Sequence, residues 1–174
     1  TSVADLALEN DIEALLAARE LIGFLPASNR ADLPVLPTSD PWDRLEDSLD
    51  TLIPANANQP YDMHEVIGKV VDEGAFFEIQ PKFAGNILTG FGRVEGRPVG
   101  IGASLGGLAM LHAASSYPGT FAGVFSQSGS FFRPRFDAHE QRFRYYDRVV
   151  GAVADLHAAP TARGAVTVAL TAGL

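Results

Sequence analysis

Near the start of the chain, Ile12, Leu15, Leu16 and Ile22 recur at helical spacing, which predicts an amphipathic helix over residues 11–25 with one face turned toward a core. Asn10 stands where a cap belongs, with Glu13 three residues later, and Pro26 ends the run. Residues 27–60 are punctuated by Pro34, Pro37, Pro41, Pro54 and Pro60 and read as an extended connector. Within it, Trp42, Leu45, Leu49 and Leu52 fall at helical spacing and predict one short docking helix. The intervening Asp43, Glu46, Asp47 and Asp50 belong to its solvated face, so no metal site is expected there.

Asp62 and Glu65 repeat the capping pattern ahead of Val66, Ile67, Val70 and Val71, with Gly74 as the residue that closes that helix. His64 lies in its first turn, where a surface or capping role is expected. Phe76–Gln80 and Ile87–Val94 have strand character, Glu95-Gly96 is a turn, and Arg97–Ile101 is a strand again. Residues 87–101 therefore read as a hairpin. Beyond it the rhythm changes to helix (105–116), strand (121–125), polar turn (126–130), helix (145–159) and strand (165–172), the order of a parallel α/β sheet.

Composition narrows the class. The 174 residues are 47% hydrophobic, enough for one packed domain, and contain no cysteine, which removes disulfides and thiolate chemistry. No apolar run is long enough to span a membrane. No basic, apolar leader precedes the first helix, which leads to the expectation of a cytoplasmic protein. The first residue is not Met, so the chain is read as trimmed or partial. A net charge of −8 argues against nucleic acid or an anionic membrane as partner. The charge is uneven: residues 1–100 carry 7 Lys+Arg and 17 Asp+Glu, residues 101–174 carry 6 and 4, and every cation of the later part is Arg. Arg133, Arg135, Arg142 and Arg144 alternate with Phe131, Phe132, Phe136 and Phe143, a pattern read as a solvated loop with stacked guanidinium groups.

The candidate chemistry sits at Gly102-Ala103-Ser104-Leu105-Gly106, a G-x-S-x-G sequence between a strand and a helix. In such an elbow, glycines at 102 and 106 keep Cβ atoms out of a tight strand-to-helix turn. Ser104 is the nucleophile candidate. The backbone N–H of Leu105, at the helix start, is the oxyanion-donor candidate. A serine needs a base and the base a carboxylate. His112, His139 and His157 follow the elbow, and none occupies a loop after a late strand where a triad histidine belongs.

Asp11–Pro26, Asp47–Pro54, Gln59–Glu65, Phe76–Gln80 and Gly90–Gly100 together resemble the carboxyltransferase β subunit of acyl-CoA carboxylases, of the propionyl-CoA carboxylase kind. That resemblance covers residues 1–100. It implies a crotonase-like segment, an acyl-CoA substrate, carboxylase subunits as partners and biotin on a separate carrier, with no cofactor in this chain. It also implies that the glycine-rich turns whose N–H groups stabilise an enolate lie outside residues 1–100. The family usually runs on into an Ala-Asn-x-Pro segment where this chain has Ile101-Gly102-Ala103-Ser104, so no family catalytic residue is carried over. Ile101–His112, Pro118–Phe132 and Val166–Gly173 resemble instead an esterase of the enterochelin-esterase type, which implies a partial α/β-hydrolase sheet over 101–174 and an ester substrate.

The combined expectation is an α/β protein in two parts, a partial crotonase-like carboxyltransferase segment (1–100) followed by a partial α/β-hydrolase sheet (101–174). It is read as an incomplete fusion without efficient activity of its own. The alternatives are a weak serine esterase acting through Ser104, and a non-catalytic module docking on carboxylase subunits. The two parts make competing demands on residues 97–101, a hairpin partner for one and a central parallel strand for the other. Pro98, which lacks an N–H, weakens the second.

Overall fold

The computed structural model describes residues 4–171 apart from 29, 55, 57–58, 84–86, 104, 118, 128–131, 133, 136–137 and 159–166. Its helices are α1 (Asp11–Gly23), α2 (Leu49–Leu52), α3 (Met63–Val70), α4 (Leu105–Ser116) and α5 (Tyr146–Ala158). Its strands are β1 (Phe77–Glu78), β2 (Thr89–Val94), β3 (Arg97–Ala103), β4 (Gly123–Gln127) and β5 (Thr167–Thr171). Short 3-10 turns occupy Asp72–Gly74 and Ala138–Arg142.

All five strands form one sheet in the order β1-β2-β3-β4-β5. β1, β2 and β3 pair antiparallel, whereas β3, β4 and β5 pair parallel. The two demands on 97–101 are thus met by the two edges of one strand: β2 lies on one side in a hairpin and β4 on the other, with Ile101 opposite both Gly90 and Phe125. This corrects the expectation of two partial sheets in conflict. Pro98 stands opposite Arg93, one pair back from a two-residue turn, where hairpin geometry directs the backbone nitrogen away from the partner strand. Pairing with β4 begins one residue later, at Val99. Its missing N–H therefore takes nothing from either ladder.

The hairpin turn has positive φ at both Glu95 (53°) and Gly96 (73°), the signature of a type I′ turn. The buried Asp72 carboxylate accepts the N–H groups of Glu95 (3.0 Å) and Gly96 (2.7 Å). Burying a carboxylate is tolerated here because backbone donors replace its water.

Side-chain alternation gives the sheet two covered faces. Pro98, Gly100 and Gly102 lie under α4, and Met110 is the nearest side chain to the Gly100 position. Phe24, Phe77, Phe91, Met110, Ala114, Phe121 and Val124 form the core on this side. On the other side, Ile67 and Val71 from α3 and the residue after it pack with Leu88, Ile101 and Ala103.

Two helical expectations are corrected. α1 forms as read, capped by Asn10, which accepts the Glu13 N–H at 3.0 Å. Its expected core face, however, points outward: Ile12, Leu15, Leu16 and Ile22 are 61–72% exposed. The helix carries a second apolar stripe, Ala17, Leu21 and Phe24, on the opposite side at about 100° per residue, and that stripe meets the core. The Phe24 ring stacks on Phe91 at 5.7 Å and lies beneath the Arg93 guanidinium. The docking helix over 42–52 shrinks to the single turn of α2, leaving Trp42 84% and Leu45 87% exposed. Residues 38–44 are held in a turn instead. Asp40 accepts from Glu73 N–H (2.9 Å) and pairs with Arg44, whose other nitrogen donates to the carbonyls of Lys69 (2.6 Å) and Val71 (3.2 Å). The closing role given to Gly74 also shifts. α3 ends at Val70, and Gly74 (φ 69°) closes the 3-10 turn that follows.

Candidate active site

The candidate site is the junction of β3 and α4. Ala103 ends the strand and Leu105 begins the helix. The junction is tight on both sides. A Cβ on Gly102 would collide with the Gly106 carbonyl and lie 2.6 Å from the Gly107 nitrogen. A Cβ on Gly106 would strike the Leu88 carbonyl and lie 2.6 Å from the Thr89 methyl. The sequence argument for glycine at these two positions is met by the geometry. Only there can the helix start reach the strand end and the neighbouring β2 backbone, where Ala103 N–H donates to Leu88 O at 2.9 Å.

The helix start carries no acidic residue in its first turn. Its partial positive charge is therefore uncompensated by a carboxylate from α4 and favours a developing oxyanion. Leu105 is the first helical residue, consistent with its N–H being one of the donors without an intrahelical partner. Ser104, the nucleophile candidate, lies outside the described residues. Beside the junction, Ser126 of β4 is opposite Gly102 and shares the α4 face with Val124. It is 0% exposed, and its hydroxyl has no hydrogen-bond partner among the described residues. The buried Tyr146 hydroxyl of α5 is in the same condition. Neither polar group was singled out by sequence. A serine among apolar strand residues carries no signal until its neighbours are known.

The histidines lie on other elements or farther along α4. His112 is seven residues along α4, roughly 10 Å from the helix start at 1.5 Å per residue, and is exposed. His139 lies in the 3-10 turn Ala138–Arg142 and His157 in α5. His64 is engaged elsewhere, between Asp62 and Glu78. Among the described residues, no three His, Asp or Glu side chains converge as metal ligands would. No helix of the described residues is long and apolar enough to cross a membrane. The Arg–aromatic segment is read correctly only in part: the Arg144 guanidinium lies 5.4 Å from the Tyr145 ring centre, but Phe132, stacked on Tyr146, and Phe143 pack against the Leu108, Val149 and Val153 cluster rather than lying in a solvated loop. Phe131, Arg133 and Phe136 lie outside the described residues.

The site thus belongs to one mixed α/β sheet whose central strand, β3, ends beside a glycine-lined helix start. The profile of the carboxyl transferase domain matches residues 1–136, and the chain belongs to that family. The match runs across residues 97–103, where the two resemblances meet. The propionyl-CoA carboxylase β chain of Roseobacter denitrificans is 59% identical over 104 residues, 60% of this chain and 20% of that protein. The methylmalonyl-CoA decarboxylase subunit alpha of Veillonella parvula is 45% identical over 101 residues, 58% of this chain and 20% of that protein. The chain thus spans about a fifth of the length of these relatives. Among solved structures, a transcarboxylase 12S with methylmalonyl-coenzyme A bound superimposes with a TM-score of 0.69 at 22% identity. That likeness covers 93% of this chain and 32% of the other. A single-chain, multi-domain long-chain acyl-CoA carboxylase gives 0.61 at 22% identity, covering 98% of this chain and 17% of the other. These likenesses extend the carboxyltransferase fold past residue 100. The reading of 97–174 as an esterase piece, and of the whole as a chimera, draws no support from them.

Proposed function

We propose that this chain is a component of an acyl-CoA carboxyltransferase of the propionyl-CoA carboxylase kind, receiving a carboxyl group from biotin held on a separate carrier. The observation that carries the reading is the family match across both sides of Gly100. In this reading the α4 start, with the Leu105 N–H as donor, supports the thioester oxygen as it gains negative charge. The exposed Ile12, Leu15, Leu16 and Ile22 of α1 dock on neighbouring carboxylase surface, and the chain has no efficient turnover by itself. The test is Leu105→Pro in the assembled carboxylase. Proline is tolerated at the first helical position but has no N–H to donate. Loss of one such donor lowers transfer to propionyl-CoA by about 10²–10³-fold. An unchanged rate removes Leu105 from the chemistry.

The glycines that let the β3 end and the α4 start approach so closely favour a second reading, a weak serine esterase centred on Ser104 with an ester substrate. A fluorophosphonate probe separates the two. Labelling that disappears in Ser104→Ala supports the esterase. Absence of labelling, together with capture of the chain by carboxylase subunits, supports the carboxyltransferase component.

A further inference from the structure

His64 stands between two carboxylates from different elements. Its Nδ1 is 3.0 Å from Asp62 Oδ1, the cap of α3, and its Nε2 is 2.8 Å from Glu78 Oε2 in β1. An ionised carboxylate only accepts hydrogen bonds, and a neutral imidazole has a single N–H to give. Both contacts can be hydrogen bonds only when the ring is the doubly protonated imidazolium. The same Asp62 Oδ1 also accepts the His64 backbone N–H at 2.9 Å, so one oxygen serves the helix cap and the ring together. The third neighbour is the uncharged Phe76 ring, edge-on at 6.4 Å.

From this arrangement we propose that Asp62, His64 and Glu78 form a pH-responsive latch in which the protonated His64 ring ties the Asp62 cap of α3 to Glu78 of the edge strand β1. β1 is two residues long and, among the described residues, pairs only with β2; the side-chain bridge adds a polar tie from α3 to this edge beside the packing of Phe76 against the cluster of Ile67 and Val71. When the ring loses a proton it can keep one bond. Glu78 is the more buried partner, at 17% side-chain exposure against 66% for Asp62. A lone pair facing a carboxylate is least tolerable where water is scarce, so the Nε2–H stays on Glu78 and the contact with the cap is lost. The Asp62 carboxylate then keeps only the His64 backbone N–H, and the first turn of α3 loosens at its cap while the ring stays on Glu78.

The hydrogen bond to Glu78, chiefly, and that to Asp62 hold the imidazole above its ordinary value of 6.5, against the opposing effect of partial burial. The latch therefore contributes in full below about pH 6.5 and is lost as pH rises through the raised value. The His64 N–H groups, backbone first, hold the Asp62 carboxyl below its usual 3.8.

The test follows the His64 Cε1–H resonance through a pH titration of the whole chain, with amide exchange of residues 64–67 corrected for intrinsic rate. The expected midpoint lies above 6.5 and moves down in Glu78→Gln. Protection of the first turn of α3 falls as pH rises above 6.5 in the native protein and stays level in His64→Gln. A midpoint at or below 6.5, a midpoint indifferent to Glu78→Gln, or parallel exchange profiles in the native protein and His64→Gln would each overturn the latch.

Discussion

At the scale of single residues, two kinds of position carry the fold, and they differ in how plainly the sequence announced them. Gly102 and Gly106 were legible because a strand end and a helix start cannot come this close unless Cβ atoms are absent. Gly102→Ala pushes a methyl group into the Gly106 carbonyl. Overpacking of this kind costs about 1–3 kcal/mol, to be read as a lower urea midpoint at unchanged slope. Asp72 was not legible, because nothing local to it shows that a turn more than twenty residues later needs an acceptor. Asp72→Ala leaves the N–H groups of Glu95 and Gly96 without their partner, and the expected loss is about 1–3 kcal/mol. Asp72→Asn, which keeps an acceptor oxygen, should lose less in the same measurement.

At the scale of elements, α1 shows where periodicity stops being informative. The helix carries apolar residues on two opposite sides, and spacing alone cannot choose which one a core will take. Phe24 decides it, because its ring fills the space between Phe77, Phe91 and the Arg93 guanidinium. Arg93 reinforces the choice by donating to the carbonyls of Gly23 (2.6 Å) and Pro34 (3.0 Å), which ties the helix end and the linker to the hairpin. Phe24→Ala should cost about 3–5 kcal/mol. Leu16→Glu, on the outward stripe, should change the stability of this chain by no more than about 0.5 kcal/mol, and it should weaken capture by carboxylase subunits if α1 docks there. Paired thermal melts and pull-downs of the two variants separate core from interface. The 42–52 segment teaches the same lesson. Four residues at helical spacing yielded one turn, because the Arg44 guanidinium was drawn to the Lys69 and Val71 carbonyls and held 40–44 as a turn.

At the scale of the whole molecule, the seam near residue 100 is a change of sequence character without a break in the sheet. β3 pairs along its length with a strand before the seam and along most of it with one after. Neither part owns the sheet. The chain should therefore unfold in one cooperative transition, with coincident curves from far-ultraviolet dichroism and from near-ultraviolet dichroism of the buried Phe and Tyr rings. Residues 1–100 and 101–174 prepared separately should each lack a cooperative melt, since each would carry an apolar sheet face and an open edge. Two separable transitions, or one half folding alone, would restore the two-domain expectation.

Local chemistry determined most of the elements. Helix caps, the Glu95-Gly96 turn, the glycines of the β3–α4 junction and the change from hairpin to α/β rhythm depend on neighbours a few residues apart, so they could be read along the chain. Long-range contact decided the rest: the single mixed sheet, the outward turn of Ile12 and Leu16, the burial of Asp72 and Ser126, and the bridge from His64 to Glu78. Those outcomes depend on which surfaces meet across tens of residues. The free energy of burying one face rather than another is set by the partner surface, which the spacing of a single segment does not contain.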